Sequence, residues 1–146
     1  MKKTLISIAI KFLSKRDYSC DELSKKLLSF CEDQSEIDYT IALLKEKKFL
    51  SDELFSERLV AKYISNYGSK FIFLKMKSYG LDIELIEKNI FEIKKTDFDR
   101  AVSIYEKKFG CSNQNVSYSK KARFLASRGF PSDIVYKVLN DYKYDL

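Results

Sequence analysis

Five arginines stand among twenty-two lysines in this chain, so each retained guanidinium marks a position where a planar, two-pronged donor is worth keeping. Arg16, Arg58, Arg123 and Arg128 are the candidates for contact with a phosphate or carboxylate partner, although an intramolecular salt bridge accounts for any one of them equally well. Lys26 and the pair Lys120-Lys121 extend the same chemistry, while most other lysines read as a solvated face. Twenty-one Tyr and Phe residues are interleaved with them. Tyr18, Tyr67 and Tyr118 precede the middle helices of a repeating pattern, where a ring can anchor an interface or stack on a base, or simply wedge helices together.

Catalytic chemistry has little to work with. Histidine is absent, which removes the usual neutral-pH proton shuttle and the commonest zinc ligand. Cys20, Cys31 and Cys111 are odd in number and form no close Cys-x-x-Cys pair, so they read as small apolar residues of a reducing compartment. There is no phosphate-loop, metal-ligand or nucleophile–base motif, and Glu and Asp at helix starts are accounted for by capping. The expectation is a binding protein rather than an enzyme, with no cofactor and no metal.

The elements that must position these residues are all helical. Apolar positions recur at spacings of three and four, as in Ile37, Ile41, Leu44 and in Ile86, Ile90, Ile93, and no segment alternates like a strand. Gly68, Gly80, Gly110 and Gly129 fall where periodic stretches stop, as left-handed helix ends or tight connections. Pro131 suits a helix start, Ser19-x-x-Glu22 is a capping box, and Asp33-x-x-Glu36 and Thr96-x-x-Asp99 resemble one. The punctuation predicts about nine helices joined by short connections, near 3–15, 20–30, 35–48, 52–66, 70–79, 83–95, 97–109, 115–128 and 132–143. The opening run through Ile10 imitates a secretion signal, but Lys11 breaks it, and a helix burying Leu5, Ile6, Ala9, Ile10 and Leu13 fits the same letters. With no apolar run of membrane-spanning length, the protein is expected to be soluble and cytoplasmic.

A shift of about 49 positions lays Cys31 on Gly80 and Gly129, Ile37 on Ile86 and Val135, and Ile41 on Ile90 and Leu139. The parse is three tandem three-helix repeats covering 1–50, 51–95 and 96–146, stacked into an elongated, curved all-α array. A unit of this size is marginal alone, so packing between neighbours must add to its core.

At this point the residues resemble a known family. Arg16-Asp17-Tyr18-Ser19-Cys20-Asp21-Glu22-Leu23 with Lys25-Lys26-Leu27 is similar to the opening signature of the RecX regulators of bacterial recombination. Leu50-Ser51-Asp52-Glu53-Leu54-Phe55 followed by Arg58 resembles their second signature, and Lys120 through Phe130 their third. Gly68-Ser69 departs from the family's Gly-Pro, Tyr79-Gly80 from its Lys-Gly, and Pro131 from its capping Ser. The resemblance implies a monomeric, non-enzymatic protein that binds the RecA filament, inhibits its growth and ATP hydrolysis, and meets single- and double-stranded DNA through the phosphate backbone. On that reading Arg16, Lys26, Arg58, Lys120, Lys121, Arg123 and Arg128 contact RecA or DNA, whereas Leu23, Leu27, Phe55, Phe124 and Leu125 pack. A helix-turn-helix-like DNA-binding regulator and a helical scaffold for another protein stay open as alternatives.

Overall fold

The computed structural model describes residues 4–110 and 115–144, so Cys111 lies outside the described residues. Among these, nine helices and no strand are present: α1 (Leu5–Lys15), α2 (Cys20–Leu27), α3 (Gln34–Glu46), α4 (Asp52–Tyr63), α5 (Ser69–Ser78), α6 (Ile83–Lys94), α7 (Asp97–Phe109), α8 (Tyr118–Ser127) and α9 (Ser132–Tyr144). The start signals act as read at several of them. Thr4, Ser19, Asp33, Ser51 and Ser117 each accept a backbone N–H from the first turn of α1, α2, α3, α4 and α8, and Ser19 with Glu22 completes the reciprocal capping box.

Three readings need correction. Thr96 does not cap α7; its hydroxyl donates back to the Ile93 carbonyl at 2.8 Å and accepts from Arg100 Nε at 3.0 Å, because Arg100 is drawn towards the preceding helices. Ile10 is 41% exposed rather than buried. Five positions beyond Leu5 it is rotated by about 140°, past the edge of the face that Leu5 and Ala9 bury. Finally, α2 ends at Leu27 rather than Phe30, and both Phe30 and Cys31 return their N–H groups to the Leu27 carbonyl.

Helix packing is organised in trios, and every substantial helix–helix contact falls inside α1–α3, α4–α6 or α7–α9. Each trio closes its own core. The first gathers eight buried apolar residues between Leu5 and Leu50, the second eight between Phe55 and Ile93, and the third eight between Ala101 and Leu139. Cores of this size barely offset the ordering of some forty-odd residues, so the seams between trios must contribute.

Both seams use the same parts. At the first, the N–H of Cys20, which opens α2, is accepted by Asp52, which opens α4, at 2.8 Å. At the second, the N–H of Ser69, which opens α5, is accepted by Asp97, which opens α7, at 3.1 Å. Each seam also seats the turn that follows the middle helix of the next trio. Ser19 Oγ donates to the Tyr79 carbonyl at 2.6 Å, and Gly80 lies against the Asp21 carboxylate. Gly68 N–H donates to the Arg128 carbonyl at 2.7 Å and Lys70 N–H to the Gly129 carbonyl at 2.9 Å, with Gly129 (φ +87°) against Phe71. A β-carbon at Gly80 or Gly129 would overlap these neighbours, and both backbones sit in the left-handed region.

The second seam is the drier of the two. Asp97 is 1% exposed, takes both the N–H and the hydroxyl of Ser69, and pairs with Arg100 at 2.6 Å. Arg100 in turn donates to the carbonyls of Ile64 and Tyr67, in the connection that follows α4. Removing the carboxylate strands a half-buried guanidinium, so Asp97→Ala is expected to cost about 3 kcal/mol. Urea denaturation checks this, and a loss below about 1 kcal/mol, the worth of an exposed pair, contradicts it.

Candidate nucleic-acid and protein interface

The seams fix where the exposed cations fall. Tyr63 ends α4, Tyr67 sits in the turn before α5, and Phe71 lies one turn into α5, so a spacing of four carries three rings along one edge. Tyr67 stacks on Phe71 at 3.8 Å, and Tyr63 meets Phe71 edge-on at 5.2 Å. Because Gly68 and Lys70 are bonded to the turn after α8, the Arg128 side chain lands beside this row, 5.4 Å from the Tyr67 ring and 5.3 Å from Phe124. Phe124 continues to Phe109 at 5.4 Å, and Phe109 to Tyr105 at 5.2 Å.

Lysines flank the row throughout. Lys62 and Lys75 stand 5.3 and 5.7 Å from Tyr63, Lys108 stands 5.7 Å from Phe124, and Lys121 stands 5.7 Å from Tyr105. Among the described residues none of these lysines, nor Arg128, takes part in an ion pair. The result is a strip, a row of half-buried rings ending on the buried Tyr105 beside cations that make no ion pair among the described residues; it crosses the second seam and suits phosphates or an acidic protein surface.

The sequence-derived candidates divide into two groups with no hydrogen bond, ion pair or ring contact between them. Arg128 and Lys121 belong to the strip, while Lys120 and Arg123 are exposed on the same helix, α8. Arg16 and Arg58 meet at the first seam. Arg16 lies 3.6 Å over the Tyr18 ring, donates to the Asp17 carbonyl at 2.7 Å and pairs with Glu22 at 3.3 Å. Arg58 pairs with the Asp17 carboxylate at 2.6 Å, and Lys26 stands 5.4 Å from Phe12 on the first trio. Both arginines remain about half exposed, at 52% and 61%, so their outer nitrogens stay open to solvent. Of the three tyrosines before the middle helices, Tyr18 is buried, Tyr67 is half-buried in the strip and Tyr118 is exposed. Lys62 was not marked by sequence reasoning, although the spacing of Tyr63, Tyr67, Phe71 and Lys75 carried the signal.

A groove of about 490 Å³ opens across the second seam between Ser69, Lys70, Phe73, Phe91, Lys94 and Pro131. It offers lysines and apolar walls with Glu87 as its one carboxylate, and the Ser69 hydroxyl at its edge is committed to the buried Asp97 carboxylate. Among the described residues no cluster of metal-ligating side chains is present, and no helix is long and apolar enough to cross a membrane.

Fold and surface together define an all-helical tandem-repeat protein. A family model described as RecX, third three-helix domain, matches residues 95–139. The chain is 31% identical to the regulatory protein RecX of Herbaspirillum seropedicae, over 84% of this chain and 80% of that one. It is 30% identical to the regulatory protein RecX of Legionella pneumophila, over 92% of each. The crystal structure of RecX from Lactobacillus salivarius superposes with a TM-score of 0.80 at 21% identity, covering 96% of this chain and 95% of that one, which establishes the fold. The chain belongs to the RecX family of regulatory proteins.

The first seam also governs a cysteine. Burial, followed by the neighbouring Asp52 carboxylate, pushes the Cys20 thiol up to about 12, so it stays protonated across the neutral and mildly alkaline range. Iodoacetamide at pH 8 is therefore expected to modify Cys20 in the folded protein at least about tenfold more slowly than in denaturant, as read by peptide mass spectrometry. Equal rates would contradict the burial.

Proposed function

We propose that this chain docks on the RecA filament assembled on single-stranded DNA and restrains its growth and ATP hydrolysis, acting as a monomer in the cytoplasm without catalysis of its own. The observation that carries the reading is the strip of uncommitted cations and aromatic rings across the second seam. Lys62, Lys75, Lys108, Lys121 and Arg128 offer charge that no intramolecular partner among the described residues consumes. A polymer of repeated subunits around a polyanion fits an array of repeated units, because linked weak contacts gain strength through effective concentration.

We assign the repeat boundaries to 1–50, 51–95 and 96–146, each closing one core. Arg16, Lys26 and Arg58 form a second contact at the first seam, and Lys120 and Arg123 extend the strip along α8. Sequence-independent phosphate contact extends the reading to double-stranded DNA, with affinity falling as salt rises.

The test is DNA-dependent ATP hydrolysis by a bacterial RecA protein with increasing amounts of this chain. Turnover is expected to fall towards zero at saturation, and undiminished turnover overturns the proposal. The variant carrying Lys121→Ala with Arg128→Ala is expected to need about tenfold more protein for the same inhibition. Its unfolding midpoint stays near that of the parent, since the seam bonds at this turn come from the Arg128 and Gly129 backbone. Arg16→Ala with Arg58→Ala is expected to weaken inhibition while lowering stability by no more than about 1 kcal/mol per pair removed, the range for exposed ion pairs. Unfolding of either variant under native conditions would reassign those side chains to a structural role.

A further inference from the structure

The groove across the second seam has a counterpart in sequence at the first. The shift of about 49 positions that lays Ile41 on Ile90 also lays Asp21 on Lys70, Ser24 on Phe73, Ala42 on Phe91 and Asp82 on Pro131. The first seam therefore forms with small and acidic residues where the second carries two phenylalanines, a lysine and a proline. The trio does not need the rings at these places for its core. Phe91 is 64% exposed and Phe73 only borders the core, whereas Ile86, Ile90 and Ile93 are the buried residues of α6.

The groove is also separate from the aromatic strip. On α5, Phe73 lies two positions and about 200° beyond Phe71, which turns it to the opposite side of the helix. Ile90 is buried at the base of the groove, and Lys70 and Lys94 are exposed at its rim. Lys77 adds a third cation, 5.5 Å from the Phe73 ring. Among the described residues none of these three lysines makes an ion pair, and Glu87 is the one acidic side chain lining the space. Apart from the rim charges, the polar groups here are already engaged. Ser69 gives its N–H and its hydroxyl to Asp97, the Lys70 N–H goes to the Gly129 carbonyl, and Pro131 has no N–H to offer.

We propose that this groove receives an acidic segment of a partner protein, which inserts one large apolar side chain against Phe73, Ile90 and Phe91 and sets carboxylates on Lys70, Lys77 and Lys94. Two observations choose the occupant. Three unpaired cations against one carboxylate complement an anionic partner. The walls hold no free donor or acceptor, so a nucleobase in the groove would bury its polar edge unpaired, whereas an apolar side chain leaves nothing unsatisfied.

The proposal rests on the filament reading, with a RecA subunit supplying the segment, and its test separates the two. The parent is compared with Phe91→Ala and Lys70→Asp, each of which installs the residue that the first seam holds at the same place. Both positions are exposed, circular dichroism checks folding, and Lys94→Glu replaces Lys70→Asp if that chain does not fold. Binding is measured on RecA filaments and, separately, on a labelled oligonucleotide alone, with sedimentation of each chain in isolation. The expected result is about tenfold weaker filament binding for each variant, while Phe91→Ala, which leaves the charge unaltered, binds the oligonucleotide as the parent does. Parent-like filament binding by either variant overturns the groove proposal and leaves the filament reading standing, whereas no filament binding by the parent overturns both. Loss of oligonucleotide binding in Phe91→Ala makes the occupant nucleic acid, and a parent dimer that Phe91→Ala dissolves makes it a second copy. Either of those results also overturns the proposal.

Discussion

An aspartate at the first position of one helix accepts the first N–H of another helix, and the molecule is organised around that bond. A helix start leaves its leading N–H groups without internal partners, and a carboxylate there is favoured by both hydrogen bonding and the helix dipole. Asp52 and Asp97 use this to pin each trio to the one before it. The bond costs no apolar surface, so each core can close on its own residues and still be held in a fixed relation to its neighbour. Glycine at the facing turn is the steric condition for it, because any side chain at Gly80 or Gly129 would hold the two trios apart.

The exposed chemistry follows from that arrangement. The row of rings on α4 and α5 and the row on α7 and α8 belong to different cores, and neither is long. They become one strip because the Gly68 and Lys70 amides are tied to the Arg128 and Gly129 carbonyls, which leaves the Arg128 side chain between Tyr67 and Phe124. Arg100 and Arg128, both from the third trio, show the two fates of a guanidinium at this seam. Arg100 turns inward to Asp97 and two carbonyls, and its burial lowers its proton affinity, partly offset by Asp97; Arg128 turns outward over aromatic faces.

Local chemistry made much of the fold legible. Capping residues, apolar spacing and glycine stops are short-range signals, and Ser19, Ser51 and the glycines could be read without knowing what they pack against. The seam could not be read in this way. Asp97 looked like an ordinary acidic residue in a first turn and Ser69 like a departure from a family pattern, because their partnership spans separate trios and depends on the packing of both. Arg100 escaped the candidate set for the same reason. Lys48, which adopts the left-handed conformation (φ 65°) after α3, shows the converse limit: a helix can stop there without the glycine that sequence reasoning looks for. For the interface, residue type alone pointed to Arg128 and Lys121, but only the cross-seam placement separates them from Arg16 and Arg58, which share Asp17.

The two seams are built alike but wetted differently. At the first, Ser19 is sealed but Cys20 and Asp52 are half-buried and the Asp17–Arg58 pair lies at the surface; at the second, Ser69 and Asp97 are both sealed. Water competes for the half-buried and surface bonds of the first seam and not for those of the second. Opening the second seam would therefore uncover a buried charge, whereas the first can exchange its outer bonds for water one at a time.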